Sequence, residues 1–213
     1  MPTYREADAT YGYFDYAELP PIAEALDGSF TWLKPLDVAI AQGMQPYWAD
    51  ARDRSALETN LEPTLEEAAE QGINIPEVFG RFMRSRDLQE RIPSCTACYF
   101  DAPERIVEAP TPGAGKLVRF MDDQQWCLLW YLYVEPSGAH AVVVSDQALD
   151  VDDPERPLAT AELYLCAPDF ETFLYRFWLE NCIWFVLTKR HRSLTPIEAN
   201  YLRHYEQRKS TGS

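Results

Sequence analysis

Gln125-Trp126-Cys127-Leu128-Leu129-Trp130-Tyr131-Leu132-Tyr133-Val134-Glu135, the link Pro136-Ser137-Gly138, and Ala139-His140-Ala141-Val142-Val143-Val144-Ser145 decide the reading of this 213-residue chain. Both runs are rich in aromatic and β-branched residues, which suit a pleated surface. The link between them is short enough for a hairpin. Successive side chains of a strand alternate, so Trp126, Leu128, Trp130, Leu132 and Val134 share one face, and Cys127, Leu129, Tyr131 and Tyr133 the other. A strand that is apolar on both faces belongs in the middle of a sheet.

Similar composition predicts further strands at 96–100, 116–121 and 158–167, all antiparallel. Before them, Thr64 and Glu67 have capping-box spacing, 65–71 reads as helix, and Gly72 stands where a left-handed cap ends one. Pro76 suits a first helical position, and Val78, Phe79, Phe82 and Met83 recur at helical spacing toward Gln89. After the strands, an acidic loop at 150–157 precedes a helix over 170–187 whose apolar set broadens toward its end. A second capping box, Thr195-Pro196-Ile197-Glu198, starts a last helix running toward Gln207, and 208–213 read as frayed. Pro20-Pro21, Pro35 and Pro46 cut residues 1–60 into short pieces. The fold class is therefore α+β: a central antiparallel sheet of about five or six strands, flanked by helices from the N-terminal and C-terminal parts. At this length one domain is expected, with an irregular, partly helical elaboration at 1–60, a core at 60–187, and a C-terminal helix and tail at 188–213.

The formal charge is −15, from 34 acidic and 19 basic residues. Such a field repels phosphate backbones and anionic lipid headgroups, which argues against nucleic acid and membrane surfaces as partners and for a basic protein surface. The segment from Lys189 onward has six basic and two acidic residues, so residues 1–188 carry −19. Met1 to Ala17 is polar, acidic and Tyr-rich, unlike a signal peptide. No run approaches the ~20 apolar residues of a membrane span. Five cysteines, an odd number, fit reduced thiols and a cytoplasmic location.

Candidate chemistry is sparse. Cys95-Thr96-Ala97-Cys98 has redox spacing, but it leads into a strand instead of opening a helix that would lower a thiol pKa. No second cysteine pair completes a zinc set, and His140, His191 and His204 are scattered. Gly113-Ala114-Gly115-Lys116 lacks the first glycine and the hydroxyl residue of a phosphate loop, with Pro110 and Leu117 in those places. No cofactor or metal is expected. Asp122, Asp123 and Gln124 form a polar turn that suits a partner-binding edge, and Asp150, Asp152, Asp153 and Glu155 give the acidic loop the same role. Trp126, Trp130, Trp178 and Trp184 lie on periodic segments and read as core. Trp32 and Trp48, in the irregular N-terminal part, are candidates for a binding groove, because exposed aromatics serve as interface anchors.

The order of these pieces resembles the SUKH superfamily. Glu66/Glu67, Gly72-Ile73, Ile75-Pro76 and Val78-Phe79 with Phe82-Met83 are similar to its entry helices. Cys98-Tyr99-Phe100-Asp101, Val118-Arg119-Phe120 with Asp122/Asp123-Gln124-Gln125, Trp130-Tyr131-Leu132-Tyr133, and Phe170-Glu171 with Phe173-Leu174 are similar to its strands and closing helix. The resemblance covers about 60–187 and implies a non-enzymatic binder, of which many neutralise bacterial toxins as immunity proteins and others act as intracellular regulators or scaffolds. An immunity-type protein that covers a basic toxin domain with an acidic face is the leading expectation, and a regulator of the same fold is the second. A dispersed enzyme site is the third, either a hydrolase using Asp122 or Asp123 or a thiol enzyme using Cys95 or Cys98.

Overall fold

A computed structural model of the chain describes residues 22, 25–190 and 192–204 in full, and the backbone of 5–6 and 205–211. In chain order these form β1 (Arg5–Glu6), α1 (Val38–Arg54), α2 (Leu57–Glu70), α3 (Glu77–Met83), α4 (Arg86–Gln89), β2 (Tyr99–Phe100), β3 (Val107–Glu108), β4 (Lys116–Asp122), β5 (Leu129–Val134), β6 (His140–Ser145), β7 (Tyr164–Ala167), α5 (Phe170–Lys189) and α6 (Pro196–Thr211). The sheet order is β1-β7-β6-β5-β4-β2, with β3 also on β4. Strands β2 to β7 pair antiparallel, and the two-residue β1 adds a parallel edge to β7.

The fold is α+β, as expected, with helices flanking the sheet at both ends of the chain. β5 lies mid-sheet and is buried at every residue. Its two sets of side chains enter two separate cores. Trp130, Leu132 and Val134 face the helices, where Phe120 meets Phe170 at 5.2 Å and Phe173 at 5.5 Å between ring centres. Leu129, Tyr131 and Tyr133 face a smaller core with Leu117, Val143, Leu149 and Leu163, roofed by the segments around 106–115 and 146–163. Edge-to-face rings at such distances add about 0.5–1.5 kcal/mol each beyond their burial.

Several local expectations differ from the structure. Thr64 caps nothing: α2 begins at Leu57 and runs through Pro63, and the Thr64 hydroxyl donates to the Pro103 carbonyl at 3.0 Å. The Thr195 box forms as expected, with Glu198 N donating to Thr195 Oγ1 and Thr195 N donating to Glu198 Oε2 at 2.7 Å. Gly72 takes the left-handed cap, φ 69°, with Ile73 N donating to Ala68 O. The helix from 77 breaks at Arg84, and Ser85 caps the short α4. α1 continues through Pro46 for 17 residues, so the 1–60 region is more helical than its prolines suggest, although most of 1–24 lies outside the described residues. α6 extends to Thr211, past the expected start of fraying, and 212–213 lie outside the description.

The strand expected at 96–100 shrinks to two residues, because Cys95-Thr96 turn, Ala97 has φ 57° and Cys98 N donates to Ser94 Oγ. That expected at 158–167 shrinks to Tyr164–Ala167 after a 3-10 turn. None of the five cysteines forms a disulfide. Among the described residues no helix is long and apolar enough to cross a membrane.

Candidate functional site

The 125–135 run does not begin as strand. Asp123 accepts from Cys127 N at 2.7 Å and from Leu128 N, and Asp123 N donates to Leu128 O, so 123–128 close into a turn. Trp126 sits at its tip with φ 56° and 46% of its surface exposed, so it is not a core residue. A left-handed backbone costs a side-chain-bearing residue about 1–2 kcal/mol, and persists only where surrounding contacts fix it. Here the indole N–H donates to Tyr99 Oη at 3.0 Å, and the ring lies over the Arg119 guanidinium, 5.4 Å from its centre. Arg54 Nη1 donates to the Gln124 carbonyl.

Arg119 is the hub beneath this turn. The register of β4 against β5 shifts between Arg119 and Met121, where one extra residue forms a bulge. Phe120 and Met121 therefore both face the helices, while Arg119, opposite Tyr131, and Asp122, opposite Leu129, both face the loop-covered side. Without the bulge, alternation would send Asp122 to the side of Phe120. Arg119 Nη1 donates to Asp122 Oδ2 and, at 2.9 Å, to Asp101 Oδ2. Its Nε bridges both oxygens of Asp150 at 3.1 Å, and Nη2 reaches Asp150 Oδ2 at 3.0 Å. The four side chains are at most 7% exposed.

Each carboxylate arrives from a different segment. Asp101 follows β2, and its Oδ1 also accepts from Ala56 N at 2.7 Å and from Ser55 Oγ, which ties in the α1–α2 junction. Asp150 lies in the loop after β6. The Tyr131 hydroxyl pins that loop by donating to Gln147 O and accepting from Leu149 N. Desolvation would pull the Arg119 guanidinium down, but the carboxylates, Asp122 first, outweigh it and hold it well above its ordinary range. Burial pushes the Asp122 carboxyl up to about 8, because Asp101 and Asp150 reinforce that push against the opposing pull of Arg119.

The candidate binding residues divide accordingly. The Asp122 and Asp150 side chains come together in the interior and offer no carboxylate to a partner. Asp123 is spent on its own turn, whereas Gln124 is exposed. Asp152, Asp153 and Glu155 are exposed on the loop, with Asp152 paired to Arg105 at 2.5 Å and Asp153 Oδ1 accepting from Glu155 N. Trp32 is buried, donating from Nε1 to Glu171 Oε1 at 2.8 Å and packing on Tyr175 and Trp178. Trp48 is half-buried and lines a groove of about 670 Å³ with Arg52, Ser55, Tyr99 and Phe100. Of the remaining tryptophans, Trp130 is fully buried, Trp178 is half-buried, and Trp184 is 42% exposed on α5.

A second groove, about 480 Å³, runs along the acidic loop with Ile106, Leu149, Val151 and Leu158 as apolar lining, and Arg105, Asp152 and Asp153 beside them. Neither groove includes a member of the Arg119 cluster in its lining. Cys98, of the C-x-x-C, is pushed by burial to about 12, which suppresses the thiolate a redox centre needs. Among the described residues no group of His, Cys, Asp and Glu has the geometry of a metal site. Comparison of the chain with protein-family models, curated proteins and solved structures gives no match.

Proposed function

We propose that the chain is a protein-binding module that docks a basic partner through Trp126 and the acidic loop that follows β6. The carrying observation is an exposed tryptophan in a left-handed turn, its ring over the same guanidinium whose Nε and Nη2 anchor Asp150. Asp146, Asp152, Asp153 and Glu155 are exposed along that loop, and Arg105 and Arg156 are its nearby paired cations. A rigid aromatic anchor with a charged rim is how binding surfaces combine affinity with steering. The resemblance to the SUKH superfamily and the −15 charge make an immunity-type role, covering a basic toxin domain, its most concrete form.

The test is affinity capture from the source cells with the wild type, Trp126→Ala, and a double Asp152→Asn/Asp153→Asn variant, with Trp184→Ala as an exposed-tryptophan control. The expected partner is basic, is eluted by salt, and binds Trp126→Ala more weakly by about 2 kcal/mol or more, roughly thirtyfold. Equal capture by all four proteins, or none by the wild type, would sink this reading.

A further inference from the structure

Three buried carboxylates around one guanidinium would leave two uncompensated charges if all were ionised. Carboxylates sharing a dry site cannot all ionise at ordinary cost. The donors identify which one holds a proton. Asp150 has both oxygens on Arg119, and Asp101 has Arg119, Ala56 N and Ser55 Oγ. Asp122 has Arg119 on Oδ2 alone, and its fully buried Oδ1 meets no donor. As an acid it becomes a donor itself, toward Asp101.

We propose that the Arg119 cluster is a one-proton latch on the acidic loop: with Asp122 protonated, Asp150 stays on Arg119 and the loop is seated, and when Asp122 releases that proton to solvent, Asp150 leaves and the loop lifts beyond Leu149, where Tyr131 still pins it. Asp150 is the member that yields. Asp122 is fixed in β4 opposite Leu129, and Asp101 is fixed by the α1–α2 junction, whereas Asp150 sits on an irregular segment and its side chain depends on Arg119. The other titratable groups facing the site are Tyr99 of β2 and Tyr131 of β5. Burial raises both above their ordinary range, so they stay neutral while Asp122 titrates. The upward push on Asp122 to about 8 places its proton loss at mildly alkaline pH.

The proposal rests on the loop being part of the docking surface, and its test requires no partner. Carboxyl-carbon NMR of the full chain, from about pH 5 to about pH 10, reads the aspartates directly. Hydrogen exchange, corrected for the intrinsic effect of pH, reads the loop over 150–157, beyond the Tyr131 anchor. One aspartate is expected to titrate near 8 in the wild type, and that titration disappears in Asp122→Asn. Loop protection should fall as pH rises toward that midpoint, by at most about tenfold per pH unit for one proton, then level off, and stay flat in Asp122→Asn. Absence of any aspartate titrating above about pH 6, or protection that stays level through the wild-type titration, overturns the latch even if the variant fails to fold.

Discussion

Arg119 is the side chain on which the most structure converges. Replacing it with Leu leaves Asp101, Asp122 and Asp150 facing one another without a cation, and breaking a buried pair in this way costs about 3–5 kcal/mol. Denaturant unfolding should report a loss of that size. Lys should rescue little, because an ammonium point charge cannot present the three-sided fork that serves all three carboxylates. Asp122→Asn behaves differently, since an amide replaces the acid with nearly the same shape. The folded carboxyl lies near 8, well above the unfolded value near 4. Its stabilising contribution is therefore whole below about pH 4 and is lost progressively as pH rises through the folded value. Wild-type stability should fall between those limits relative to Asp122→Asn, and the two curves should run parallel above about pH 9. Parallel curves throughout would mean that Asp122 carries no proton.

Among the elements, the β3–β4 hairpin depends on Gly115, whose O accepts from Ala109 N. A Cβ there would strike the Val134 carbonyl and crowd the Tyr133 ring, whose hydroxyl holds Ala114 O at 2.7 Å. Gly115→Ala should cost about 1–3 kcal/mol, read as a lower midpoint in chemical denaturation. At the other end of the chain, Thr195→Ala removes one half of a formed capping box and should cost about 1 kcal/mol, with exchange speeding up in the first turn of α6. The same pattern at Thr64 lies mid-helix, because a Ser/Thr-x-x-Glu spacing cannot report that helical residues precede it. β5 was legible from its two apolar faces, and the register from Leu129 to Val134 follows the expected alternation. Trp126 was not, because the same alternation runs unbroken through it while Asp123 draws the backbone into a turn. Asp122 and Asp150 stood out as acidic residues, but nothing in their local sequence shows that a guanidinium from the next turn of the bulged strand draws both inward.

For the molecule as a whole, −15 charges on one chain repel one another. Added salt should raise Tm by a few degrees, at about 2–4 °C per kcal/mol for a chain of this size, while weakening partner binding. A fall in Tm with salt would mean that the ion pairs outweigh the repulsion. Helices back one face of the sheet and loops cover the other, so the loop-covered core should open first under native exchange. The charged node keeps to that second face because the bulge absorbs the one residue by which β4 exceeds its neighbour. Pairing the same residues regularly, with no bulge, would deliver the Asp122 carboxylate into a wall of aromatic rings, with no substitution anywhere. In this architecture one backbone irregularity, and not a change in chemistry, separates a plain sheet from one with an ionic heart.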